Sequence, residues 1–347
     1  MTASDLRSPV SASGPRTSAP AFGRLVRAEF RRLAARRFTR VIIALGLIGY
    51  LLAIALIWRE HHRTTAADIA QATAQRDQLI VQFTAEAEQC RKNVPAEQAD
   101  QACGVPTAEN FPIDQFLRTQ PFRPDEIPDY ALAIGVATAM VGFLLAATFI
   151  GAEWSTKNLV AWLFWEPRRL RVMAAKLVAL LASVLLIAAL AQVVWFGVAK
   201  ALIHYRGLPV STLGPQAAHF WSHVVNVQLR AAPLVLITAL IAFSLASLMR
   251  NSAAALGVAF VYFAVVENLI RALNPEWQPY LFTTNVGAWI SEKGITVYGK
   301  SVFNAEQGYV MPREIHISNL HGGVTLLVFA GIATAAALTS FARRDIS

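Results

Sequence analysis

Few residues in this 347-residue sequence stand at spacings that chemistry uses. Gly294 to Ser301, GITVYGKS, fits the GxxxxGKS phosphate-loop pattern. Such a loop aims backbone N–H groups and a helix N-terminus at phosphates, so it must follow a buried strand and open a helix. No apolar strand of that kind precedes Gly294, and no parallel-sheet alternation surrounds it. No four apolar residues followed by Asp supply a magnesium ligand. The match reads as chance. His219 and His223 lie four apart, with His204 nearby, but a metal site needs more ligands. They read as interfacial histidines, and His61-His62 as a solvated start to a loop. There is no GxSxG, no HExxH and no carboxylate pair within an apolar run.

Polar residues inside apolar runs are the next candidates. Glu267, Asn268 and Arg271 lie near the end of one run and Gln192 within another. At that depth such groups line a pathway or pair with each other. Glu267 and Arg271, four apart, suit an intrahelical pair, and both readings stay open. The densest constellation is Gly151 to Lys176, GAEWSTKNLVAWLFWEPRRLRVMAAK. Trp154, Leu159, Trp162, Leu163 and Trp165 are apolar, Pro167 stops a helix, and Arg168, Arg169 and Arg171 follow. Aromatic residues and arginine anchor protein interfaces. The segment reads as a place where a cytoplasmic partner docks. The alternative is a basic loop with interfacial aromatics and no partner.

The elements that must position these residues are set by composition. Hydrophobic residues make up 55% and charged residues 15%, and mean hydropathy is +0.43. A soluble domain carries about 25% charged residues, so the solvent for much of this chain is lipid. Six apolar runs predict crossings at about 41–58, 130–150, 177–199, 231–249, 253–270 and 322–341. Before them, residues 1–20 read as a disordered tail rather than a signal peptide. Residues 22–40 then form a basic amphipathic helix, with Arg24, Arg27, Arg31 and Arg32 beside Phe22, Leu25, Val26, Phe30 and Leu33. Such a helix suits an anionic membrane surface. The net charge of +9 therefore reports orientation rather than nucleic-acid binding.

Residues 24–40 carry 7 Arg against one Glu, a net of +6, whereas residues 59–128 carry 7 Lys and Arg against 11 Asp and Glu, a net of −4. The positive-inside rule then puts both termini and residues 151–176 in the cytoplasm and the loop 59–128 outside. In that loop Ile69, Ala72, Leu79, Phe83 and Ala87 trace a helical stripe. An oxidising exterior makes a Cys90–Cys103 disulfide plausible, stabilising by about 3 kcal/mol, with two free thiols the alternative. An interfacial helix is expected around 217–227. Aromatic residues in 271–319 suit a segment dipping into the interface.

With these residues in place, the chain resembles the permease subunit of an ABC-2-type (type V) ABC exporter over its whole length. The likeness is sharpest in Gly151-Ala152-Glu153-Trp154, Leu159, Leu163, Pro167, Arg169 and Lys176. Thr156-Lys157-Asn158 departs from the family pattern, where many members have Ser or Thr with Gly. The resemblance implies an all-α fold of six transmembrane helices, a connecting helix at Arg24 to Arg32, and short re-entrant helices before the last crossing. It also implies a coupling helix carrying Glu153, Trp154, Lys157, Leu159, Trp162, Arg168 and Arg169. The chain itself would be no enzyme: it would pair with a second copy and with ATPase subunits that bind ATP and magnesium. No metal or cofactor is expected here, and membrane lipid is the other partner. A membrane-embedded hydrolase and an immunity or structural membrane protein are the competing classes.

Overall fold

The computed structural model describes residues 22–95, 103–104, 107, 109–117, 120–156, 168–304 and 309–343. Helix α1 is Phe22–Ala35, α2 Arg37–Glu60, α3 Ala66–Asn93, α4 Ile127–Ser155 and α5 Arg169–Arg206. There follow α6 Phe220–Met249, α7 Ser252–Val261, a π turn Tyr262–Val266, α8 Glu267–Leu273 and α9 Phe282–Ile290. Strands β1 Ile295–Asn304 and β2 Tyr309–Ile317 precede the last helix, α10 Asn319–Arg343. Six helical stretches are long and apolar enough to cross a membrane: 37–60, 124–155, 169–206, 210–249, 252–273 and 319–343. This is the architecture of a multi-pass membrane protein.

The helices align so that the bundle has two poles. One gathers α1, the end of α4, the start of α5, the turn at 250–251 and the end of α10, and we call it the arginine-rich pole. The other carries α3 and the segments 207–219 and 274–318, and we call it the loop pole. Helix α5 spans about 57 Å at 1.5 Å per residue, more than a hydrocarbon core of about 30 Å. It therefore delivers Lys176 to the arginine-rich pole and Arg206 to the other.

Close approach between helices depends on small residues. Gly135, Ala139, Gly142 and Ala146 recur every three or four positions on α4, which brings them onto one side. A Cβ at Gly135 would lie 2.6 Å from Ala231 Cβ, and one at Gly142 2.6 Å from Val184 Cγ1. Contacts this short let helices pack tightly where no water drives association. The central core joins α4, α5 and α6 through Leu145, Phe149, Leu180, Val184, Val235 and Phe243. At the loop pole, Phe122, Ile127, Trp195, Leu202 and Phe220 form a second core. Phe122 N–H donates to Arg206 O (3.2 Å), and Leu208 N–H donates to Phe122 O (3.0 Å). These bonds tie the first long loop to the α5–α6 connection.

Gly151 is the tightest glycine contact between two helices. A Cβ there would lie 2.7 Å from Ser252 Cα, so the end of α4 touches the start of α7 through backbone. Backbone at a helix start cannot rotate aside. Gly151→Val is therefore expected to cost roughly 3 kcal/mol by overpacking, with Gly151→Ala intermediate. Thermal unfolding in detergent reads this out, and three equal midpoints would contradict the junction.

Several expectations are modified. The helix foreseen at 217–227 is continuous with the fourth crossing: α6 runs unbroken from Phe220 to Met249 and carries Pro233 inside it. The fifth crossing is interrupted by the π turn. Of the stripe expected in 59–128, Ala72 and Ala87 are buried, but Ile69 and Phe83 face outward. Phe83 instead stacks on Phe111, 5.7 Å between centroids. Helix α3 starts at a capping box, in which Thr65 Oγ1 accepts from Asp68 N–H and the Asp68 carboxylate accepts from Thr65 N–H. The Thr65 hydroxyl and then its backbone N–H hold the Asp68 carboxyl below its usual range. Cys90 and Cys103 are joined as a disulfide, Cα atoms 5.7 Å apart.

The main addition to the helical architecture is the antiparallel β1–β2 hairpin. It places Ile295 to Ser301 of the phosphate-loop look-alike inside a strand. Gly294, at φ +80°, makes the turn into that strand. The look-alike opens no helix, so it lacks the geometry that cradles phosphate.

Candidate functional site

Glu153 ends α4 and Lys176 lies in the second turn of α5, so the two bracket residues 154–175. Both side chains turn inward. Glu153 is 1% exposed and Lys176 fully buried. Charges are seldom buried so completely unless paired. The pairing here involves a residue from far earlier in the chain: Lys176 Nζ lies 2.7 Å from Glu29 Oε2 and 2.6 Å from Glu153 Oε2. Arg36 closes the cluster, with Nη2 donating to Glu153 Oε1 and Nη1 to Phe149 O, both at 2.6 Å. The Arg36 guanidinium and Lys176 Nζ both lie over the Phe149 ring, 4.9 and 5.5 Å from its centroid. Arg32, half-buried, comes within 3.6 Å of Glu29.

Two carboxylates and two cations leave the core of the cluster neutral, which is what makes its burial tolerable. Its geometry follows from the chain. Leu25, Glu29 and Leu33 recur every four residues, so α1 lays one stripe on α5 with the acid in the middle. Arg36 sits in the break between α1 and α2 in an extended conformation (φ −68°, ψ 130°). That break swings its side chain toward α4. The cluster therefore ties α1, the α1–α2 joint, α4 and α5 together.

The other residues expected at this site are placed as follows. Trp154 packs inward, its ring 6.0 Å from that of Phe341, with Arg250 stacked 4.7 Å above it. Arg168 is exposed just before α5, and Arg169 begins it. Lys157, Leu159 and Trp162 lie outside the described residues. Arg24, Arg27 and Arg31 are exposed along α1, with Arg37 and Arg40 at the start of α2. Glu29 and Glu153 are the described acids of this pole, and both are enclosed. The pole therefore presents cations outward.

A third buried acid lies toward the loop pole. Glu267 is fully buried and accepts from Thr283 N–H (3.1 Å), from the Thr283 hydroxyl and from Arg271 (3.3 Å). Thr283 is the second residue of α9, so Glu267 caps that helix from a different element. Arg271 also donates to the hydroxyls of Thr283 and Thr284. The π turn immediately before Glu267 inserts a residue and rotates it toward α9. Asn268 Nδ2 then donates to Phe263 O and Ala264 O. Gln192 is elsewhere: its Nε2 donates to Ala131 O (2.9 Å), and its backbone oxygen accepts from Gln228. No hydrogen bond joins Gln192 to Glu267 among the described residues. His223 lies 3.5 Å from Glu292, and no three metal-ligating side chains gather among the described residues.

The Thr283 hydroxyl beside Glu267 and the Lys176 amine beside Glu29 and Glu153 are each held within these ion-paired clusters. What both offer is mechanical: buried charge fastens separate elements, α1 to α4 and α5 in the first cluster and α8 to α9 in the second. No protein-family model matches the chain, and no curated protein matches it.

Proposed function

We propose that this chain is the membrane-spanning subunit of an ATP-driven exporter of the ABC-2 type. Two copies form the pathway, and a separate ATPase subunit supplies the site for ATP and magnesium. The chain performs no catalysis of its own. The observation that carries this reading is the buried Glu29–Lys176–Glu153–Arg36 cluster. A partner pressing on residues 157–167 would push on the ends of α4 and α5, and the cluster would pass that displacement to α1 and α2. Lys157, Leu159 and Trp162 supply the docking contact, Arg168 and Arg169 flank it, and Glu153 and Trp154 fix its base. Arg24, Arg27, Arg31 and Arg32 hold the connecting helix against anionic lipid.

The arginine-rich pole faces the cytosol of a cell whose plasma membrane the chain spans, with both termini inside. Residues 59–128 lie outside, where an oxidising medium keeps a disulfide such as Cys90–Cys103 intact. Gln192, Glu267, Asn268 and Arg271 are candidates for the pathway or its outer gate.

The test is to look for an ABC ATPase in the neighbouring reading frame and to reconstitute it with this chain. A hot-spot residue contributes about 2 kcal/mol or more, so Trp162→Ala with Arg169→Glu should weaken ATPase association by at least about thirtyfold. Cargo-stimulated hydrolysis should be lost, while membrane insertion and melting stay unchanged. Wild-type association and coupling in the double variant would remove the docking role.

A further inference from the structure

The turn between α6 and α7 holds a backbone conformation that its residue does not suit. Arg250 lies at φ 54°, ψ 20°, and is the one non-glycine residue with positive φ among the described residues. Glycine adopts this left-handed conformation freely and commonly ends helices in it, whereas a Cβ crowds the backbone there. The next residue makes no such demand. Asn251 is extended, and its Oδ1 accepts from Ala253 N–H (2.8 Å) and Ala254 N–H (3.1 Å) to start α7. Backbone geometry alone therefore favours glycine at position 250. The reason for arginine must lie in its side chain.

The guanidinium supplies that reason. Its carbon lies 4.7 Å from the centroid of the Trp154 ring. A cation within about 6 Å of an indole face is attracted by the ring quadrupole, and tryptophan gives the strongest contact of this kind. Trp154 is otherwise held only by apolar packing. Its ring meets Phe341, near the end of α10, at 6.0 Å and 82° between planes. Its Nε1 is buried and donates to nothing among the described residues. No hydrogen bond sets the indole's orientation, so the groups against its face and edge must set it. Three residues before it, Gly151 meets the start of α7 at Ser252. The α6–α7 turn thus grips the end of α4 twice, by backbone at Gly151 and by a cation at Trp154.

We propose that Arg250 is a positioning residue: it holds the Trp154 indole against Phe341 and joins the end of α4 to the α6–α7 turn. What this clamp is for rests on the export reading, in which Trp154 fixes the base of the docking segment. A push on that base then reaches α7 through Arg250, as it reaches α1 through the buried ion cluster. The clamp itself needs neither ATPase nor cargo.

Arg250→Gly separates the two demands on this residue, because glycine suits the backbone and removes the guanidinium. The full chain is purified in detergent with fluorotryptophan at its eight tryptophan positions. The fluorine NMR resonance missing from Trp154→Phe identifies that ring. In Arg250→Gly this resonance should move toward that of the free amino acid, the other seven should stay in place, and the melting midpoint should be kept. A Trp154 resonance that stays where the parent has it would overturn the clamp. In complex with a partner ATPase, Arg250→Gly should bind as the parent does and lose most of its cargo-stimulated hydrolysis. Full stimulation despite a displaced resonance would overturn the transmitting role. A parent chain that engages no ATPase would instead remove the export reading, and the resonance would still decide the clamp.

Discussion

Lys176→Met is expected to destabilise the protein by about 3–5 kcal/mol, the cost of removing one partner from a buried ion pair. Methionine fills much of the same volume, so packing is nearly preserved. The loss is electrostatic: Glu29 and Glu153 stay enclosed, with Arg36 the main cation left to them. Adding Glu29→Met removes the surplus carboxylate and should restore more than half of the lost stability. Thermal unfolding of the purified protein in detergent measures both, and α1 should become protease-sensitive before the bundle does. A single variant as stable as the parent would mean that Nζ is not where the structure puts it. The same logic extends to Glu153→Lys. That residue would bring a third cation against Lys176 and Arg36, so the junction itself should fail, rather than only the docking above it.

Glu267→Ala carries the second large effect. The carboxylate takes the N-terminal amide and hydroxyl of Thr283 and neutralises Arg271, all out of water. Hydrogen bonds to a charged group contribute about 1.5–3 kcal/mol each, and leaving the donors unpaired costs more than never having made them. Loss of about 3 kcal/mol is expected, concentrated in α9. Hydrogen exchange should rise over Phe282–Ile290 and much less over α4. Glu267→Gln keeps one acceptor and should lose about half as much. Uniform exchange across α4 and α9 in the alanine variant would show that the cap is not what docks α9.

How far these features could be read from residues alone differs by element. The six crossings were legible because lipid demands about 20 apolar residues in a row, a signal that needs no tertiary knowledge. The bracket of Glu153 and Lys176 was also visible, as part of a basic segment between two apolar runs. Glu29 was missed. It had been counted as one acid among seven arginines, a term in the charge balance. The informative fact was its place: four residues from Leu25 and four from Leu33, it lies on the stripe that α1 buries. An acid on an apolar stripe signals a distant cation. The hairpin was also in the sequence, as Val, Ile, Phe and Tyr enriched on both sides of a short polar stretch. Reading 271–319 as a segment dipping into the interface, with short re-entrant helices, passed over the strands, although the phosphate-loop match was rightly set aside as chance. What no local pattern could supply was the Gly151–Ser252 contact or the capping of α9 by Glu267. The first joins elements far apart in the chain, and the second depends on how residues 274–281 fold α9 back onto α8.

The enclosure of both acids at the arginine-rich pole has an effect on ionic strength. Screening operates over about 8 Å at physiological salt and acts on groups that water reaches. Added salt therefore weakens the field around the outward guanidinium groups of α1 and leaves the Glu29–Lys176–Glu153 pairs nearly untouched. Attachment of an acidic surface to this pole is tunable by electrolyte, while the joint beneath it keeps its strength.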